Sequence, residues 1–185
     1  MYLISEKYIE LNKELHQRPR GYGGGGGKWA KSAAEYIQKY SIKSLLDYGC
    51  GQQGFWKKVQ EDFPDIAERT VYRGYDPCIE ALNTPPEEVD MVVCTDVLEH
   101  IEPKCLNNVL DHLLLLTRKV IFFNIALEPA NKTLADGRNA HLILESAMWW
   151  MQKITWWFDE FNGWKVVDVS GNKRKNKFNL VLVKK

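Results

Sequence analysis

The sequence predicts an α/β fold, a doubly wound and mostly parallel sheet, on three observations. Short apolar runs that suit buried strands alternate with amphipathic stretches at helical spacing. Residues 44–51, Ser-Leu-Leu-Asp-Tyr-Gly-Cys-Gly, form an apolar strand that ends in an acid and a glycine-spaced turn. The next predicted strand, Val-Tyr-Arg-Gly-Tyr at 71–75, is closed by a second acid, Asp76. Crossovers joining such parallel strands are right-handed.

The elements follow in order. Ile4, Tyr8, Leu11 and Leu15 share one helical face between Ser5, a suitable N-cap, and Arg18, with Pro19 as the stop. Next comes Gly-Tyr-Gly-Gly-Gly-Gly-Gly at 21–27, whose consecutive glycines are expected to form neither helix nor strand. This stretch is either a flexible tether or a mobile segment that folds over a ligand. A helix from Lys28 to about Tyr40 carries Trp29, Ala33, Ile37 and Tyr40 on one face. The core then reads as strand Leu45–Asp47, helix Phe55–Phe63 cut by Pro64, strand Val71–Tyr75 and strand Met91–Cys94 with Asp90 at its start. A helix Lys104–Leu116 precedes strand Val120–Ile125, continuously apolar as buried parallel strands are. After a loop from Ala126 to Ala140, a helix is expected over Leu144–Phe161 and an antiparallel pair over Lys165–Val169 and Asn179–Val183.

The 185 residues suit one domain, with 1–27 as an N-terminal helix and glycine-rich segment and 28–185 as its core. A net charge of +1 gives no global basic field and so no electrostatic argument for nucleic acid. Cys50, Cys78, Cys94 and Cys105 form no Cys-x-x-Cys pair and match neither a zinc site nor a disulfide framework. Reduced thiols, and the absence of a signal pattern or a membrane-spanning run, lead to an expected cytoplasmic location and no membrane partner. No metal is expected, because no ligands stand at characteristic spacing.

The two strand-end acids and the glycine turn fit a site for a nucleoside with a charged tail. Gly49 and Gly51 let the backbone approach a ligand, and a carboxylate at the end of the next strand can hold both ribose hydroxyls. Leu45-Leu-Asp-Tyr-Gly-Cys-Gly51 resembles the first motif of class I S-adenosylmethionine-dependent methyltransferases. Asp76 stands where that family has its second-strand acid, and Asp90-Met-Val-Val-Cys-Thr-Asp-Val-Leu-Glu-His-Ile101 resembles its fourth strand in the Asp-Val-Leu-Glu-His form of small-molecule enzymes. Gly54 completes a Gly-x-G-x-x-Gly spacing that also suits dinucleotides, but the downstream motif favours the methyltransferase reading. The resemblance runs from about Lys28 to the C-terminus.

It implies a Rossmann-like sheet capped by N-terminal helices, S-adenosylmethionine as cofactor and S-adenosylhomocysteine as product. By resemblance, Asp47, Gly49, Cys50, Gly51, Asp76, Pro77, Cys94 and Asp96 bind the cofactor, with Val97 and Leu98 near the sulfonium. Asp47 either holds the turn amides or reaches the methionine amino group. Lys28, at a helix start beside the glycines, is a further candidate partner for a carboxylate.

One interval departs from the family. Only about fourteen residues separate Asp76 from Asp90, too few for a helix, a strand and their turns, since one parallel crossover alone needs about a dozen. The family's third strand is therefore expected to be missing, its second crossover helix reduced to a turn near Ile79–Leu82, and the order 3-2-1-4-5-7-6 shortened to 2-1-4-5-7-6. That edge supplies the usual adenine-recognising acid, leaving Asn83, Thr84 or backbone groups to replace it.

On the acceptor side, His141 and then His100 are the candidate general bases, and Asp136, Arg138 and Asn139 add polar groups beyond the fifth family strand. Glu99 and His100 also read as a pair that pins the following loop. Trp150, Ile154, Trp157 and Phe161 share a helical face and read as core, whereas Trp149 and Trp156 suit an acceptor wall or a dimer patch. The basic run Lys173–Lys177 reads as a solvated turn. The expected partner is a small-molecule acceptor. The alternatives are a nucleic-acid methyltransferase working through that basic run, or a non-catalytic cofactor-binding subunit docking through its trimmed sheet edge.

Overall fold

A computed structural model describes residues 2–18, 23–172 and 176–185. The expected Pro19 stop, Gly21 and Tyr22 of the glycine run, and Lys173, Arg174 and Lys175 of the basic run lie outside the described residues. Among the described residues no helix is long and apolar enough to cross a membrane.

Six strands form one sheet: β1 (Ser44–Tyr48), β2 (Val71–Tyr75), β3 (Val89–Thr95), β4 (Thr117–Ala126), β5 (Trp164–Asn172) and β6 (Lys177–Lys184). Their spatial order is β2-β1-β3-β4-β6-β5, parallel through β4 and antiparallel across β4–β6 and β6–β5. With the family's third strand absent, this is the 2-1-4-5-7-6 order expected from the short interval after Asp76. That interval holds only a 3₁₀ turn, Glu80–Leu82.

Side chains that alternate along each strand serve two apolar layers. Leu45, Met91, Val93, Val120 and Phe122 pack against α2 (Ala30–Lys39), α3 (Gly54–Asp62) and α4 (Pro64–Arg69). Leu46, Val92, Ile121 and Phe123 pack against α5 (Leu106–Leu116) and α6 (Ala147–Trp157). Every residue of β3 is buried, as expected for a central parallel strand.

Three expectations are corrected. Pro64 starts a helix instead of only ending one: it occupies the first turn of α4, where its missing N–H costs nothing. Phe161 is wholly exposed, because α6 stops at Trp157 and the core row continues through Trp150, Ile154 and Phe158. The third correction concerns the glycine run, expected to form no helix: Gly25, Gly26 and Gly27 open a 3₁₀ turn, Gly25–Trp29, packed against the start of α3. A Cβ on Gly26 would lie 2.9 Å from that of Phe55, and one on Gly54 would lie 2.6 Å from the Gly24 carbonyl oxygen. The glycines thus let two backbone segments touch, which a tether would not require.

Helix α1 (Glu6–Gln17) lies over the carboxyl ends of the strands. Its N-cap Ser5 accepts from the Tyr8 N–H at 3.2 Å and donates from its hydroxyl to Glu102 at 2.8 Å, while the Ser5 N–H donates to the same carboxylate at 2.8 Å. Tyr8 donates its hydroxyl to the His100 carbonyl at 2.6 Å.

Candidate functional site

A cleft of about 860 Å³, counting its open mouth, lies between α1 and the carboxyl ends of β1, β2 and β3. Open α/β sheets bind ligands in this place.

The floor is mostly backbone. After β1 the chain turns through Gly49 and Gly51, at φ +73° and +49°. The Gly49 and Cys50 N–H groups donate to the Tyr75 carbonyl at 2.7 and 3.1 Å, tying the turn to the end of β2. Val97 fills the space beside Gly49, where a Cβ would lie 2.5 Å from its Cγ2. A Cβ on Gly51 would lie 2.5 Å from the Gly23 carbonyl oxygen, so the N-terminal glycines close directly on the turn. Asp76 is buried and accepts from the Gly51 N–H at 3.1 Å and the Cys78 N–H at 2.9 Å. A carboxylate has further lone pairs to offer a ligand.

The cleft wall brings together Gly49, Gly51, Asp76, Pro77, Asp96 and His100 of the sequence candidates. Asp47, Cys50 and Cys94 are buried behind that wall. The turn amides are taken by the Tyr75 carbonyl, and Asp47 instead accepts from the Tyr72 hydroxyl at 3.4 Å. Burial pushes the Asp47 carboxyl up to about 7. Burial likewise raises the Cys50 and Cys94 thiols, which suits packing residues and not nucleophiles. Neither Asn83 nor Thr84 faces the cleft, and the Thr84 and Pro85 carbonyls accept from Arg73 at 3.5 and 3.0 Å.

The opposite wall is charged. Asp96, at φ +54°, binds Lys28 at 2.7 Å and Lys177 in a second ion pair. Burial opposes its charge, but the two ammonium groups outweigh that and hold its pKa below the usual carboxylate range. Lys177, read in the sequence as part of a solvated turn, is in fact folded back onto this site.

Deeper in this wall, Glu99 is fully buried. Its Oε1 accepts from the Ala126 N–H at 2.9 Å, and its backbone carbonyl accepts from Leu142 and Ile143 at 2.7 and 3.0 Å. Burial and then Asp96 push its carboxyl up to about 8. His100 and His141 pack edge to face, ring centroids 4.6 Å apart. Burial depresses both, His100 to about 3, so both are neutral at neutral pH. Asp136 and Arg138 pair with each other at 2.7 Å, and Asn139 braces the loop at Ala130.

Sequence reading missed Tyr8, Asn12 and His16, which α1 presents to the cleft. Tyr8 stood on the apolar face and so read as core, yet a buried tyrosine needs a partner for its hydroxyl, and that requirement was the available signal. Trp156 is 78% exposed beside Trp149, as a surface patch requires.

No family model and no curated protein matches the chain by sequence. Solved structures do match it. The DhpI–SAH complex superposes at a TM-score of 0.58 with 16% identity, over 97% of this chain and 98% of that one. Magnesium protoporphyrin IX methyltransferase (ChlM) from Synechocystis PCC 6803 with bound SAH superposes at 0.51 with 12% identity, over 100% and 96%. TnmH superposes at 0.54 with 13% identity over 86% of this chain, which spans only 55% of it. At these identities the likeness is one of fold, and it bears out the methyltransferase-like sheet expected from the motifs.

Proposed function

We propose that the chain transfers the methyl group of S-adenosylmethionine to the protic nucleophile of a small acceptor. One observation carries the reading: Asp76, at the end of β2, faces the Gly49–Gly51 turn inside a cleft roofed by α1. When bound, the cofactor supplies a methyl group already activated on a sulfonium. The protein then needs chiefly to align the partners and exclude water.

Asp76 takes the ribose hydroxyls, and the glycine turn lets the backbone approach the methionine tail. Asp47, behind the turn, gains its charge when an ammonium group comes near. Val97 and Gly49 border the sulfonium, and Pro77 and Cys78 flank the adenine in place of the missing third strand. Asp96, steadied by Lys28 and Lys177, divides the methionine end from the acceptor. His141 takes the acceptor's proton where one must leave, with His100 packed against it. The roofed cleft favours a small acceptor over a polymer, and Lys177, committed to Asp96, is withdrawn from any nucleic-acid surface.

The test is calorimetric titration of S-adenosylhomocysteine into wild-type protein and Asp76→Ala, followed by labelled methyl transfer to a pool of small acceptors. Micromolar binding that collapses in the variant supports the cofactor site. Binding without turnover on any acceptor would leave a non-catalytic binding protein, and no binding to folded wild type would overturn the reading.

A further inference from the structure

We propose that Glu99, His100 and His141 hold one divalent transition-metal cation just behind His100, the one of the three that lines the cleft. Each offers a ligand atom, and these atoms lie within 4.8 Å of one another. An ion with bonds of about 2.0–2.2 Å keeps its donors roughly 3–3.5 Å apart, so the set closes by about an ångström or more around the ion.

Three further features point to an ion. Glu99 pins the loop with Oε1 only. Its Oε2 is buried with no hydrogen-bond partner among the described residues, an arrangement that a loop pin leaves unexplained. The ring nitrogens are also oriented. His100 Nδ1 lies 2.7 Å from the Ala140 carbonyl oxygen and His141 Nδ1 lies 2.5 Å from that of Glu128. A carbonyl can only accept, so each Nδ1 carries its proton and each Nε2 carries the lone pair. Backbone carbonyls commonly orient metal-binding imidazoles in this way. Lastly, Asp96 is neutralised by Lys28 and Lys177, which leaves Glu99 as the carboxyl that gives up its proton to a cation.

Two imidazoles and one carboxylate favour zinc, iron(II), cobalt(II) or manganese(II) over magnesium or calcium, which prefer all-oxygen shells. Three protein ligands leave coordination positions for an outside oxygen. On the methyl-transfer reading, on which this role rests while the ion replaces His141 as the group that frees the acceptor's proton, that oxygen is a hydroxyl of the acceptor. Bound to the ion it releases its proton to water more readily. The resulting alkoxide bonds to the methyl carbon as the carbon–sulfur bond breaks, with the electron pair staying on sulfur.

The test is titration of chelator-treated full-length protein with Co²⁺ and Zn²⁺, followed by calorimetry and by the visible spectrum of Co²⁺. S-Adenosylhomocysteine binding is measured on the same samples. One ion per chain at micromolar or tighter affinity is expected, weakened at least a hundred-fold in His141→Ala and in Glu99→Gln, which keeps the bond from Ala126. His141→Ala should still bind S-adenosylhomocysteine, so loss of the metal site and loss of the cofactor site are told apart. Absence of one-to-one binding to folded wild type would overturn the proposal. So would binding unchanged in both variants, or a thiolate-to-cobalt band showing that cysteine is the ligand.

Discussion

The two walls of the cleft are built by different means. On the β1–β2 side, backbone groups and absent side chains shape the surface: the Gly49 and Cys50 amides on the Tyr75 carbonyl, and Asp76 on the Gly51 and Cys78 amides. On the β3–β4 side, side chains from distant segments converge, with Lys28 and Lys177 on Asp96 and His141 against His100. Local backbone geometry leaves a contiguous trace in sequence, whereas convergence of side chains does so only through tertiary packing. A wall of the first kind should be intolerant of single atoms. One of the second kind should lose function before it loses structure.

The largest effect is expected at Asp76. On the proposed reading, removing its carboxylate takes away two charge-assisted bonds to ribose worth about 1.5–3 kcal/mol each, so Asp76→Ala should bind S-adenosylhomocysteine at least about a hundred-fold more weakly. Near-unchanged affinity by calorimetry would mean that this wall is not the cofactor wall. Gly51→Ala should follow, because the new Cβ would lie 2.5 Å from the Gly23 oxygen at φ +49°. The left-handed conformation alone costs about 1–2 kcal/mol. Combined with the displaced glycine segment, it should weaken binding about ten-fold or more and lower the melting temperature. A wild-type affinity would show that Gly23 does not close on the turn in solution.

The same contrast explains what was legible in the sequence. The sheet order was readable because the Asp76–Asp90 interval is too short for a strand and its crossover, a constraint of chain length. The glycine turn and Asp76 were readable because they follow directly on apolar strands. By contrast, Lys177 was read as solvated because its basic neighbours suggest solvent, and only β6 pairing beside β4 carries it to Asp96. Glu99 read equally well as a loop pin, since burial of one orphaned oxygen is not a property of local sequence. Phe161 was misplaced because the end of α6 depends on Phe158 turning into the core, and no cap residue marks it.

Each wall holds one carboxyl pushed up by burial, Asp47 to about 7 and Glu99 to about 8. A carboxyl whose folded pKa exceeds its unfolded value near 4 binds more protons when folded. Its contribution to stability is greatest below about pH 4 and is lost as pH rises through the folded pKa. Asp47→Asn and Glu99→Gln should therefore gain in melting temperature relative to wild type between pH 5 and pH 9, by a few degrees each. Comparison with wild type cancels the opposite contributions of Asp90 and Glu102, whose pKa values are lowered. Ligands should then separate the walls. S-Adenosylhomocysteine, bringing an ammonium group to Asp47, should bind more tightly as pH rises through 7, and this slope should vanish in Asp47→Asn but persist in Glu99→Gln. A slope unchanged in Asp47→Asn would remove Asp47 from the cofactor wall.

The smallest effect should come from the roof that both walls share. Ser5 caps α1 and also holds Glu102, at 2.8 Å from both its N–H and its hydroxyl. Ser5→Ala removes the cap and the hydroxyl bond but keeps the backbone bond, a loss of about 1 kcal/mol on the scale of N-cap substitutions. That is too little to unfold the domain. It is enough to raise the fraction of molecules in which α1 has lifted, which still bind at the floor but release ligand freely. Dissociation of S-adenosylhomocysteine, followed by stopped flow, should quicken about five-fold while the association rate hardly changes, since about 1.4 kcal/mol corresponds to ten-fold. An unchanged dissociation rate would mean that α1 rests on the cleft without retaining what enters it. The floor alone would then hold the cofactor.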